Sequence, residues 1–298
     1  MKNVKKIIVF IMVLVMCLSA MNTSAFANDD EQSQEQTVKV DVGGFNLEFD
    51  LAGEGKPTVI FEHGLGGDRT WWDLIQPEIA KYCNTVSYDR AGAGGSDFSP
   101  NPRLISNMVE ELHTALTKLD IKGPYIFVAH SFGGLTSRVY ATKYPNEVAG
   151  IIFVDSSHED MVTEMSKVLG EEFKNEIDQA VIVEGGTTED FYNSLQEVRD
   201  TLPADALRNK PITVLTANNH ESGPEADAAW MQLQDRIASL SNDSKHIIVD
   251  NGHFIPIEKP EVVIDAIFDM FERTGYLNAC NKVGKIEENY LKVKFKKH

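Results

Sequence analysis

The sequence predicts an α/β protein, a mostly parallel sheet with helices on both faces. Three observations predict it. Short, largely apolar runs without alternation, such as TVIFE (58–62), YIFVA (125–129) and VAGIIFV (148–154), read as strands buried on both faces. Between them, apolar residues recur at intervals of three and four, the spacing of an amphipathic helix. Strand and helix then alternate along the chain, the order from which parallel βαβ units are built.

Taken in order, 38–42 and 45–51 flank Gly43 and Gly44 and read as a hairpin, which adds an antiparallel edge. Residues 58–62 and 85–88 are the next strands, the second leading into a glycine-rich turn over 89–97. Ile105, Met108, Val109, Leu112, Leu116 and Leu119 form one apolar stripe of a helix that Gly123 and Pro124 end. After strand 125–129 a helix is expected from just past Ser131 to about residue 144, then strand 148–154. Strands at 211–216 and 246–249 enclose a helix near 225–240, and a last helix runs over 260–273. Residues 156–210 break the rhythm. They hold helical stretches (159–173, 175–183, 188–202) without a convincing strand, as expected of a helical insertion capping the sheet.

The ends read differently. Lys2, Lys5 and Lys6 precede a short apolar run, 7–18, and the small-x-small pattern Ala25-Phe26-Ala27, the signature of a signal peptide cleaved near Ala27. An exported, secreted or envelope-associated protein is expected, with no membrane anchor after cleavage. Residues 28–37 are polar and acidic, a flexible leader to a domain over 38–280. The tail 281–298 is lysine-rich and reads first as solvated, with weak contact to an anionic cell-wall polymer as the alternative.

The formal charge of −17, which becomes −20 once the three leader lysines are removed, disfavours nucleic acid and anionic lipid as partners. Of the three cysteines, Cys17 falls in the expected signal peptide; export permits a disulfide between Cys83 and Cys280, and sequence alone leaves that pairing open. No Cys/His spacing suggests a metal site. The glycines at 92–95 do not make a dinucleotide fingerprint, because Asp97 stands where the third glycine would be.

Ala129-His130-Ser131-Phe132-Gly133-Gly134 lies where strand gives way to helix. A serine there is forced onto a sharp turn with its hydroxyl above the sheet edge, and the Phe132 N–H at the helix start can donate to an oxyanion. Ala129 replaces the usual first glycine of G-x-S-x-G, a small-for-small change. His63-Gly64-Leu65-Gly66-Gly67 directly follows a strand and offers the Leu65 N–H as a second oxyanion donor. His253, in NGHFIP after the last strand, is placed to act as general base.

Together HGLGG (63–67), YDRAGAGGSD (88–97), AHSFGG (129–134), VAGIIFVD (148–155) and NGHFIPIEKPE (251–261) resemble the α/β-hydrolase superfamily, in matching order over nearly the whole mature chain. The resemblance implies an eight-stranded, mostly parallel sheet, a helical cap over the site, and no cofactor. It also implies a triad acid after the strand that follows the elbow helix, or after the next strand beyond the cap. The first position is Asp155; the second offers no carboxylate until Glu221. Asp155 is preferred, as a buried strand-end carboxylate is the better orienter of an imidazole. Serine at the elbow points to acyl transfer to water, so hydrolysis of a small-molecule carboxylic ester is expected, with lactone or amide as variants. Trp71 and Trp72 are candidates to line the substrate pocket, and Val162, Met165, Val168 and Leu169 give the first cap helix an apolar face suited to a moderately hydrophobic ester. The alternative is a non-catalytic ligand binder or receptor on the same fold.

Overall fold

The structure, a computed structural model, describes residues 35–201, 203 and 205–283. The expected signal peptide, most of the leader and the tail beyond 283 lie outside the described residues. Eight strands form one sheet: β1 (Gln36–Asp41), β2 (Asn46–Ala52), β3 (Thr58–Glu62), β4 (Asn84–Tyr88), β5 (Tyr125–His130), β6 (Val148–Val154), β7 (Ile212–Ala217) and β8 (Ser244–Val249). Their order is β1-β2-β4-β3-β5-β6-β7-β8. β1 and β2 pair antiparallel, as do β2 and β4, and every other pair is parallel. β1 opens at Gln36, inside the expected leader, because Gln36 and Thr37 pair with Leu51 and Asp50 and the Thr37 hydroxyl donates to Asp50 Oδ1 at 2.6 Å.

The helices are α1 (Gln76–Ala80), α2 (Ile105–Lys118), α3 (Gly133–Lys143), α4 (Met161–Leu169), α5 (Glu171–Ala180), α6 (Thr188–Thr201), α7 (Pro224–Ala238), α8 (Ile255–Glu258), α9 (Pro260–Arg273) and α10 (Leu277–Val283). Successive strand residues point to opposite faces, so each buried strand feeds two cores. Ile60, Phe127 and Phe153 meet Met108 and Leu112 of α2, Leu135 of α3 and Trp230 of α7. Their neighbours Phe61, Val128 and Val154 meet Ile79 of α1 and Val263, Ile267 and Phe271 of α9. Each such side chain buried contributes about 1.5–3 kcal/mol. β8 departs from the expected two-sided burial: as an edge strand it leaves Ile247 and Ile248 exposed. Cys83 and Cys280 are free, buried thiols that meet in the second core. No helix among the described residues is long and apolar enough to cross a membrane.

α4, α5 and α6 lie between β6 and β7, in the interval expected to cap the sheet. The helix expected over 159–173 is two helices, because Gly170 takes φ +84°, a left-handed conformation that ends α4. The apolar face of α4 also goes elsewhere than expected. Val162 and Met165 are buried in the first core, where α4 packs against α7, while Val168 is exposed.

Because β3 to β8 run parallel, the loops after them gather at one sheet edge. Residues 63–67, 89–97, 131–132, 155, 218–223 and 250–254 all lie there, at the carboxyl ends where open α/β sheets bind ligands.

Candidate active site

Only Ser131 and Phe132 separate the fully buried β5 from α3. Reversing direction in two residues puts Ser131 at φ +52°, in the left-handed region that costs an L-residue about 1–2 kcal/mol. The surroundings hold it there. Ser131 N donates to Val154 O at 3.2 Å, and its carbonyl accepts from Gly134 N at 3.0 Å and Ser157 N at 2.9 Å. Gly133 lets α3 pass over the end of β3: a Cβ there would lie 2.7 Å from the Glu62 carbonyl oxygen and 2.9 Å from that of His63. Ala129 is buried, and its carbonyl accepts from Ser156 Oγ at 2.7 Å.

The 63–67 loop runs beside the serine; a Cβ on Gly64 would come within 3.1 Å of Ser131 Cβ. His63 pins the loop from below, with Nδ1 donating to Gly64 O at 2.7 Å and Nε2 accepting from Arg90 N at 3.3 Å. Burial, helped by the Arg90 charge, pushes its pKa down to about 3, in keeping with a neutral ring that donates once and accepts once. The Leu65 and Phe132 N–H groups donate to none of the described residues, which leaves both available to an incoming oxyanion.

His253 follows β8 and leans on the residue before the serine. Its carbonyl accepts from His130 Nε2 at 2.9 Å, and the two rings lie 4.6 Å apart. Its Nδ1 donates to Asp155 Oδ2 at 2.6 Å. Asp155 is wholly buried at the end of β6 and takes three further hydrogen bonds. His220 Nε2 donates to the same Oδ2 at 2.8 Å, and Oδ1 accepts from Trp230 Nε1 at 2.8 Å and Ala217 N at 3.0 Å. Burial pushes the Asp155 carboxyl up, but the two histidines and these bonds outweigh it and hold the group well below the usual carboxylate range. Glu221 stands exposed at φ +58°, and its backbone N–H donates to Asn219 Oδ1 at 3.2 Å. Ser131 Oγ itself makes no hydrogen bond among the described residues, and such contacts often tighten only when substrate binds.

His220 is unusual in its own right. Nδ1 faces Asp227 Oδ1 at 3.2 Å while Nε2 faces Asp155, an arrangement satisfied when both ring nitrogens carry protons. Burial lowers its pKa, but the Asp155 charge and the bonds to both carboxylates raise it further than burial lowers it. Asp155, His220 and His253 also have ligand atoms within 4.8 Å of one another, the spacing of a metal site, yet each histidine nitrogen facing Asp155 is engaged there as a hydrogen-bond partner.

The two tryptophans part company. Trp72 is wholly buried against Phe61 and belongs to the second core. Trp71 packs edge-on against His130 and Phe254 and under Gly67, supporting the site from the side. A cavity of about 10 Å³ touches both oxyanion candidates, Leu65 and Phe132, and is lined by Met108, Val181, Val183 and Phe191. Its walls therefore come from α2, α6 and the link before α6, not from α4.

Four residues of this site escaped sequence reasoning: His220, Trp230, Arg90 and Glu184. Arg90 lies inside the 88–97 motif, where the glycines are the stronger signal. His220 follows β7 at a place where the family resemblance implies a carboxylate, so its residue type gives no signal there. Trp230 and Glu184 carry no local signal.

A family model of the alpha/beta hydrolase fold matches residues 57–181. The chain is 30% identical over 238 residues to the uncharacterized protein YqjL of Bacillus subtilis (strain 168), covering 80% of this chain and 92% of that one. It is 29% identical over 195 residues to an AB hydrolase superfamily protein of Gibberella zeae, 62% of this chain and 60% of that one. Among solved structures it is similar to a thermophilic esterase from Thermogutta terrifontis, with a TM-score of 0.57 at 22% identity over 80% of this chain and 99% of the other. A meta-cleavage product hydrolase from Pseudomonas fluorescens is similar with a TM-score of 0.59 at 15% identity, over 82% and 99%. At these identities the structural likeness speaks for the fold alone.

Proposed function

The chain belongs to the α/β-hydrolase superfamily, and on that premise we propose that it is an exported serine hydrolase that cleaves a carboxylic ester through an acyl-enzyme intermediate. Ser131 is the nucleophile, His253 the general base and Asp155 the acid that orients it. His253 Nε2 takes the Ser131 proton as Oγ attacks the ester carbonyl, and the Leu65 and Phe132 amides hold the oxyanion. His253 then protonates the leaving alcohol. Water, deprotonated by the same imidazole, attacks the acyl-serine and releases the carboxylic acid. Asp155 keeps the proton of His253 on Nδ1, so that Nε2 faces the serine as an acceptor, and offsets the imidazolium charge as it forms.

The observation that carries this reading is the 2.6 Å bond from His253 Nδ1 to the buried Asp155 carboxylate, formed at the same sheet edge as a serine on a left-handed elbow. Alone, any of these features is common; their convergence on one edge favours a triad. If the acyl group enters the cavity lined by Leu65 and Phe132, which holds about one water, short acyl groups react best and longer ones need displacement of the link before α6.

The test is a panel of p-nitrophenyl esters of increasing acyl length, run on wild type and Ser131→Ala, with a fluorophosphonate probe. Hydrolysis and covalent labelling in wild type, both lost in Ser131→Ala, support the proposal. A folded wild type that neither labels nor hydrolyses any ester, lactone or amide would instead be a ligand binder.

A further inference from the structure

Arg90 is buried beneath the 63–67 loop with all five of its N–H donors engaged. Nη1 donates to His63 O at 2.7 Å and reaches Glu62 Oε2 at 3.4 Å; Nη2 donates to Gly64 O at 2.8 Å and Glu184 Oε1 at 2.7 Å; Nε donates to Glu184 Oε2 at 2.9 Å. Glu184 comes from the cap, in the link between α5 and α6, and is equally buried. Its Oε1 also accepts from Gly66 N at 2.9 Å. The pair thus grips three backbone groups, His63 O, Gly64 O and Gly66 N, that bracket the Leu65 amide on both sides.

Two further contacts seat the cap here. Gly92, at φ +83°, leaves room for the Glu184 backbone; a Cβ there would come within 2.5 Å of the Glu184 carbonyl carbon and oxygen. Val183 lies over Gly66, where a Cβ would meet its side chain at 3.6 Å. The glycine-rich turn therefore serves as the socket for this link. The charges agree. Burial pushes Glu62 up to about 7, and Tyr88 holds it by a 2.6 Å hydrogen bond, so Glu184 is the main counter-charge for a guanidinium that could not otherwise stay buried.

We propose that Glu184 is a positioning residue through which the cap sets the oxyanion loop, so that the Leu65 amide is correctly aimed only while the 181–187 link is seated. The inference rests on the hydrolase reading above and deepens it. It makes the cap part of the catalytic geometry rather than a cover. A donor misaimed by a fraction of an ångström stabilises the transition state less while barely affecting ground-state binding.

The experiment compares wild type, Glu184→Gln and Glu184→Asp on the best ester substrate, with an aryl boronic acid as tetrahedral mimic and the product acid as ground-state ligand. Glu184→Asp retains the charge opposite Arg90 but withdraws the carboxylate by ~1.5 Å, which keeps the question answerable if Glu184→Gln does not fold; circular dichroism and Tm establish folding. Expected is a fall in kcat of roughly 10- to 100-fold with KM within about threefold. Boronate affinity should fall in parallel with kcat/KM while product affinity holds, and hydrogen exchange at the Gly66 amide should quicken. Folded variants with wild-type kcat overturn the inference, as does a kcat loss that leaves boronate affinity unchanged. A wild type that neither hydrolyses nor labels overturns the hydrolase reading first, and this inference with it.

Discussion

Replacing Asp155 by asparagine separates the two candidate acids most sharply. The substitution is nearly isosteric, and its amide oxygen can keep the bonds from Trp230 Nε1 and Ala217 N on the Oδ1 side. The Oδ2 side must then present an NH₂ group to both histidines. His253 Nδ1, at 2.6 Å, would have to accept rather than donate, moving its proton to Nε2, where it blocks removal of the Ser131 proton. A wrong tautomer of this kind lowers kcat about 10⁴-fold, or about 5 kcal/mol of barrier. Stability falls too, by about 3 kcal/mol, because His220 loses the buried one of the two charges that hold its proton and keeps only the half-buried Asp227. Steady-state ester hydrolysis gives the first number and a urea melt the second. Glu221→Gln, on an exposed side chain, should leave both within error. A loss below tenfold in a folded Asp155→Asn enzyme, or a larger loss from Glu221→Gln, would refute this assignment of the acid.

Three other outcomes follow from particular contacts. His220 has a raised pKa, so its contribution to stability is complete below about pH 6.5 and is lost as pH rises through the folded value; wild-type Tm should decline on the alkaline side, and His220→Gln should flatten that slope, whereas equal slopes would count against the doubly bonded imidazolium. Gly133→Ala forces a Cβ to 2.7 Å from a backbone oxygen and should cost about 1–3 kcal/mol in a denaturant melt, while Gly252→Ala, with 3.6 Å of room, should cost little. Cys83 and Cys280 meet in one core, so a disulfide oxidant should join them and close a loop of about 200 residues, worth roughly 5 kcal/mol in the chain-entropy account; Tm should rise and return on reduction, and two alkylatable thiols surviving oxidation under denaturing conditions would exclude the bond.

What the sequence disclosed and what it withheld divide on a physical line. Strands such as TVIFE and YIFVA are legible because central parallel strands are apolar on both faces, and Ser131 because an elbow needs small residues within a few positions of it. These are local constraints. The break at Gly170 is hidden because apolar spacing continues across it, and the fate of Trp72 because adjacent residues on a single 3₁₀ turn (Arg69–Trp72) point about 120° apart. The α4 face looked available because amphipathicity says that a face is buried, not against what. His220 and Glu184 act across 65 and 94 residues, on Asp155 and Arg90, and nothing at positions 220 or 184 announces a partner so distant.

The left-handed Ser131 bears on how this protein could be stabilised. A residue kept at φ +52° resists the conformation it is given, and the strain is borne by the folded state alone. Ser131→Ala removes the hydroxyl and keeps the strain, whereas Ser131→Gly removes both and should be the more stable inactive protein by about 1 kcal/mol. Selection for thermal robustness alone would drift toward glycine at this position and lose the proposed nucleophile on the way. Stability and reactivity pull in opposite directions at this residue, and the rest of the sheet must supply the difference.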